Sequence, residues 1–172
     1  MARYLARSVA VVLLSLAISG TCVCQVKADR IIVHKKEHTM ELMHAGTVIK
    51  SYKIALGRNP VGPKQREGDF RTPEGVYVID RRNAKSEYHR SLHFPIQMRM
   101  TARELVNSTF PRAGDVMIHG LPNGYGYLGA AHRRRDWTYG CIAVTDEEID
   151  EIWSLVDNGT PIEILPSNPE HK

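Results

Sequence analysis

Cysteine is almost missing from this chain. It has three in 172 residues, and two of them, Cys22 and Cys24, stand in the N-terminal segment. A domain stapled by disulfides is excluded if that segment is removed on export, because one thiol has no partner. Long apolar runs are missing too. The run Val9 to Ser19 (VAVVLLSLAIS) has eleven residues, against about 20 needed to cross a bilayer. Charge of one sign is scarce once the leader is set aside. Arg3, Arg7 and Lys27 precede residue 29 and no acid does, which leaves 20 basic against 19 acidic side chains. A net charge near +1 is a poor electrostatic match for nucleic acid, so no nucleic-acid partner is expected. Internal repeats and low-complexity tracts are absent, so a single domain with its own core is expected.

The N-terminus reads as an export signal. Arg3 and Arg7 form a positive region, the eleven-residue run follows, and Val26-Lys27-Ala28 offers small residues at the positions a signal peptidase reads. Residues 1–28 are therefore assigned to a leader cut after Ala28, residues 29–166 to the domain, and 167–172 (SNPEHK) to a disordered tail. An uncleaved anchor is the alternative. Thr21 before Cys22 and Val23 before Cys24 fit a lipid-attachment cysteine poorly. The expected location is outside the cytoplasm, in the periplasm or cell-wall space, with no stable membrane span after cleavage. The sequence leaves the oligomeric state open.

Strands dominate the pattern. Arg30–His34 and Thr39–His44 flank Lys35-Lys36-Glu37-His38 as a hairpin, and Thr47 to Leu56 is β-branched and partly alternating. Gly57 to Gly68 reads as a loop, Thr72-Pro73-Glu74-Gly75 as a turn, and Val76–Asp80 as a strand. Leu92–Met98 is one more candidate strand. Asp115–Ile118 is a short buried strand that delivers His119. Thr101-Ala102-Arg103-Glu104 and Thr145-Asp146-Glu147-Glu148 are capping boxes. The second opens a helix with Ile149, Ile152, Trp153 and Val156 on one face. Pro161–Leu165 closes the domain as a strand. The sum is a mainly β domain with two short helices, without βαβ units.

The remaining thiol, Cys141, follows Gly140, and His119 precedes Gly120. Acyl transfer needs a nucleophile, a base to take and return its proton, and N–H donors for the oxyanion. Cys141, His119 and the Tyr139-Gly140-Cys141 amides supply that set, with imidazole holding sulfur as the thiolate. The plainer alternatives are a buried apolar thiol and a satisfied core histidine.

At these residues the chain resembles the L,D-transpeptidase (YkuD-type) catalytic domain family. That family carries Ile-His-Gly, a spacer, then Ser/Thr-His-Gly-Cys, an aliphatic residue and Arg or Asn. Here stand Ile118-His119-Gly120 and Thr138-Tyr139-Gly140-Cys141-Ile142-Ala143, with 18 residues between His119 and Thr138. Leu56-Gly57, Gly68–Tyr77 and Gly159-Thr160-Pro161-Ile162 resemble its other blocks. Tyr139 replaces the usual histidine and Ala143 the usual Arg or Asn, a variant pattern similar to murein-directed members, some of which hydrolyse. The resemblance implies a β-sandwich-like fold with the cysteine at one end under a lid. It implies a thioester on Cys141 formed from a peptidoglycan stem tetrapeptide, broken before its terminal D-residue and passed to an amine or to water. It implies no cofactor and no metal.

Arg133, Thr138 and Trp137 are the substrate-side candidates. In the run Arg133-Arg134-Arg135 a guanidinium matches a stem carboxylate, while a solvated loop is the simpler reading. Trp137 packs beneath the cysteine loop or touches substrate, Tyr125-Gly126-Tyr127 forms part of a lid or a turn, and His93 is a strand or a pocket residue. His119, His132 and Asp136 match no usual zinc spacing. A non-catalytic wall-binding module and a metal-dependent wall hydrolase are the readings from other classes. Reactivity of Cys141 toward iodoacetamide at neutral pH separates enzyme from module, and loss of activity to a chelator identifies a metal enzyme.

Overall fold

The computed structural model describes residues 26–96 and 115–167. Two sheets enclose one core. The first has the order β3-β2-β1-β9-β4 and the second β5-β6-β7-β8. In the first, β1 (Arg30–His34) and β2 (Thr39–His44) pair antiparallel and put Ile31 opposite Leu42 and Val33 opposite Met40. All four are fully buried, as period-2 alternation requires of a one-sided sheet. β9 (Pro161–Leu165) runs parallel to β1 and antiparallel to β4 (Gly75–Val78), adding Ile162 and Ile164 to the same face. β3 (Thr47–Lys53) is the edge, where only Tyr52 is buried.

The second sheet contains β5 (Arg81–Ser86), β6 (His89–Phe94), β7 (Val116–His119) and the two-residue β8 (Ile142–Ala143). β5, RRNAKS, carries no apolar alternation and escapes a reading based on it. β6 begins three residues before the expected Leu92 and ends at Phe94; the rest of the expected Leu92–Met98 strand beyond Ile96, like the Thr101 capping box, lies outside the described residues. Helix α1 (Asp146–Leu155) starts as expected. Thr145 Oγ1 accepts from the Glu148 N–H and the Glu148 carboxylate accepts from the Thr145 N–H. Its Ile149, Ile152 and Leu155 pack into the core, each worth about 1.5–3 kcal/mol of burial. Residues Gly126–Arg134 form a 3-10 segment broken at Gly129, the second helical stretch among the described residues.

Lys35 sits in the expected β1–β2 hairpin turn, but its side chain is buried. It is 1% exposed, and its ammonium donates to Gly62 O at 2.9 Å, Thr72 O at 2.8 Å and Glu74 Oε1 at 2.8 Å. A charged side chain this deep requires that set of acceptors. Burial pulls its pKa down, with Glu74 opposing. Lys35 thereby pins the loop after β3 against the turn before β4.

Two further bridges join the sheets at one end. Ala55 exchanges hydrogen bonds with Ala143 at 2.9 Å each, and Thr138 N–H donates to Leu56 O at 3.1 Å. The segment leaving β3 therefore crosses to the second sheet and frames the loop before β8.

Candidate active site

β7 and β8 run parallel with Ile118 opposite Ile142 and His119 opposite Ala143. Alternation sends Val116, Ile118, Ile142 and Val144 into the core, so Met117, His119, Cys141 and Ala143 share the opposite side. His119 pairs with Ala143, two residues beyond Cys141, and the Cys141 Sγ lies 3.9 Å from Asp115 O. The topology thus brings the two sequence candidates to one sheet face.

The His119 ring is buried and Nδ1 lies 2.7 Å from Gly120 O. A carbonyl only accepts, so Nδ1 carries the proton and Nε2 keeps its lone pair. Burial pushes the His119 pKa down to about 4, against the Gly120 hydrogen bond. Burial also pushes the Cys141 thiol up, more than the Met117 N–H and Lys64 lower it. Both shifts favour the uncharged forms of the two groups. Desolvation of both groups outweighs their neighbours.

Gly120 has a packing reason. A Cβ there would stand 2.7 Å from Asp146 Oδ1 and 3.0 Å from the Ile149 side chain. Asp146 Oδ1 also accepts from the Leu121 N–H at 2.8 Å, which ties the strand end to α1. Gly140 has a conformational one. Its φ is +124°, and a Cβ would meet Arg71 O at 2.5 Å. The backbone at Gly140 requires glycine, while a Cβ at Gly120 would displace the Asp146 carboxylate. Thr138 is buried, and its hydroxyl donates to Cys141 O at 2.7 Å while accepting from the Gly140 N–H at 3.1 Å. That N–H is committed, so of the three amides proposed for the oxyanion only those of Tyr139 and Cys141 remain candidates.

Tyr139 is 62% exposed. Its ring lies 5.1 Å from that of Phe70, with the Arg58 guanidinium 4.9 Å above it. Trp137 stands edge-on to His119 at 5.8 Å, and its indole N–H donates to His132 Nδ1 at 3.3 Å. Arg133 pairs with Glu148, the residue that also closes the α1 capping box, so its guanidinium is engaged within the fold. Arg134 and Arg135 line a neighbouring cavity instead. His93 sits in β6 between Asp80 at 2.5 Å and Asp115 at 3.3 Å. Tyr125-Gly126-Tyr127 leads into the 3-10 segment, with both tyrosines exposed.

Three neighbours were not identified from sequence. Tyr88, in the β5–β6 turn, packs 4.4 Å from His119. Its hydroxyl is held above the ordinary tyrosine range by burial and then by Cys141. Lys64, with a side chain 2% exposed, pairs with Asp69 at 2.8 Å. Its ammonium stands 3.4 Å from where a Gly140 Cβ would be. Asp69 also accepts from the backbone N–H groups of Gln65, Arg66 and Arg71. Burial would raise its pKa, but these donors and Lys64 lower it to about 2. Single polar residues in a Gly/Pro loop carry no periodic signal.

A mainly β two-sheet domain, presenting a thiol and an imidazole on one sheet face, is the class that fold and site define. The profile of the L,D-transpeptidase catalytic domain family matches residues 28–164. The chain belongs to that family. One relative is YafK of Escherichia coli (strain K12), itself assigned only provisionally as an L,D-transpeptidase; it is 32% identical over 130 residues, 72% of this chain and 45% of YafK. The chain spans about half the length of the curated relatives it matches. Among solved structures, the helical cell shape determining protein Pgp2 (K307A mutant) of Campylobacter jejuni superposes with a TM-score of 0.57 at 19% identity, over 84% of this chain and 49% of that one. Bd1075 of Bdellovibrio bacteriovorus does so with 0.52 at 18%, over 81% and 48%. At these identities the structures share the fold.

Proposed function

We propose that this chain is an exported cysteine acyltransferase acting on peptidoglycan stem peptides, in wall biogenesis and remodelling. The observation that carries the reading is the Nδ1–H···O=C bond from His119 to Gly120 at 2.7 Å, which leaves Nε2 basic on the sheet face that holds Cys141. His119 Nε2 takes the thiol proton as Cys141 Sγ attacks the carbonyl before the terminal D-residue. The Tyr139 and Cys141 amides face the developing oxyanion. Collapse breaks the C–N bond, His119 returns the proton to the departing amine, and a thioester stays on Cys141. An amine of a second stem or a water, deprotonated by His119, then takes the acyl group and restores the thiol.

Hydrolysis is the second reading, and Tyr139 favours it. An exposed phenol under Arg58 stands where the family carries an imidazole, so a hydroxyl replaces a ring nitrogen at the rim. Incubation with defined tetrapeptides and crosslinked muropeptides, read by mass, tests both. Crosslinked product supports transfer, shortened product supports hydrolysis, and unchanged substrates contradict the enzyme.

Export belongs to the same proposal. Ala28 is buried and donates its N–H to Leu155 O at 2.9 Å. A cut after Ala28 removes its packed methyl, its hydrogen bond to Leu155 O and the Lys27 contacts with Asp157 and His44, a loss on the order of 2 kcal/mol. Intact mass of envelope protein beginning at Asp29 supports that cut; a mass retaining Cys22 or Cys24 contradicts it.

A further inference from the structure

Beside the Cys141–His119 pair, with the Trp137 indole as the shared wall, lies a cavity of about 600 Å³. Three guanidiniums line it, Arg58, Arg134 and Arg135, and no carboxylate does. Arg134 and Arg135 are exposed and have no hydrogen-bond or ion-pair partner among the described residues. The acids nearest in sequence are held elsewhere. Asp136 accepts from the Leu56 N–H at 2.7 Å and pairs with His38 at 2.9 Å, and Glu148 is taken by Arg133. Arg58 is aimed by its Nε–H, which donates to Trp137 O at 3.2 Å. Like charges gathered around one hollow repel, and an anion relieves that repulsion.

His132 adds to the donor-rich wall. An indole N–H only donates, so His132 Nδ1 is an acceptor and the neutral ring carries its proton on Nε2. That buried Nε2 has no partner among the described residues. Burial, then Arg133, pushes the ring's pKa down to about 4, which keeps it neutral. Tyr125 and Leu128 give the cavity apolar surface for a hydrocarbon backbone.

We propose that this cavity is a carboxylate-binding subsite, with Arg134 and Arg135 as its specificity residues and Arg58 linking it to the rim at Tyr139. A guanidinium fork matches a carboxylate bidentately, which point charges do not. The proposal rests on the stem-peptide reading above. A wall peptide offers the carboxylate from two sources, its free terminus and an internal acidic residue.

The test uses the full chain carrying Cys141→Ala, titrated calorimetrically with a wall tetrapeptide, its terminal amide, and the same peptide amidated at the internal acid. One amide is expected to bind tenfold or more weakly than the free acid, which identifies the source. The added pair Arg134→Gln and Arg135→Gln, both at exposed positions, is expected to bind the free acid as weakly as that amide, with an unchanged unfolding midpoint. Equal affinities for all three peptides, no binding of any, or an acid preference that survives the arginine changes overturns the subsite. Acyl-enzyme formation by the protein with Cys141 intact is read separately. If it occurs without charge discrimination, the subsite falls and the reaction stands; if it does not occur, the reaction falls on its own terms.

Discussion

Replacing Thr138 by valine removes one oxygen and almost no volume, yet it strikes the loop that carries the nucleophile. The hydroxyl accepts from the Gly140 N–H at 3.1 Å and donates to Cys141 O at 2.7 Å, in a buried position. Valine leaves both groups unpaired, at about 1–3 kcal/mol each when buried. The expected loss is roughly 2–4 kcal/mol, since the loop can relax toward water. For a domain of this size that is a fall in melting temperature on the order of 10 °C. The kinetic effect is larger than the stability loss suggests. A displacement of about 1 Å in a reacting group costs on the order of 100-fold, and the loop also carries the amides that face the oxyanion. Thermal unfolding with single-turnover acylation is the assay, and Thr138→Ser is the control that restores the oxygen. A Thr138→Val protein with wild-type melting and wild-type acylation would refute the reasoning.

Other expectations follow from the same geometry. Burial raises the Cys141 pKa and lowers that of His119, so the thiolate fraction is small at neutral pH; alkylation by iodoacetamide should be slow at pH 7 and still rising where an ordinary cysteine has levelled off. A plateau near neutrality would mean a resting ion pair. Slow alkylation therefore does not by itself indicate a non-catalytic module. Lys35→Met strips a buried ammonium from Glu74, Gly62 O and Thr72 O and should destabilise the domain by about 3–5 kcal/mol, read in urea; a cost under 1 kcal/mol would show the triad is dispensable. Tyr139→His should change the ratio of crosslinked to hydrolysed product while acylation stays within a few fold. A collapse of acylation at constant ratio would place Tyr139 in the nucleophile's machinery.

The legibility of this fold tracks how much each segment repeats a local pattern. β1, β2 and β9 alternate apolar and polar residues, and their limits follow from that alternation. The Thr145–Glu148 box fixes the start of α1 because its two hydrogen bonds are local. Arg81–Ser86 has no such pattern and becomes a strand only by pairing with β6. Lys35 reads as a turn cation, yet tertiary contacts 27 to 39 residues away bury it. Cys141 and His119 stand out as candidates because few residue types do this chemistry. Tyr88, Lys64 and Arg58 do not, since each arrives from a remote loop and is placed only by the folded sheets. Arg133 shows the reverse: its sequence context points outward, and Glu148 draws it into the helix cap.

The central claim is a thioester on Cys141 formed with His119 as the base, and one measurement meets it directly. The protein is mixed with a wall tetrapeptide, quenched in acid within its first turnover, and weighed intact. The account predicts an added mass equal to the tetrapeptide less its terminal residue and one water, placed on Cys141 by peptide mapping. The adduct should be absent from Cys141→Ala, and its formation about two to four orders of magnitude slower in His119→Ala. Turnover of the peptide with no adduct on Cys141, or turnover that survives in a folded Cys141→Ala protein, would contradict it.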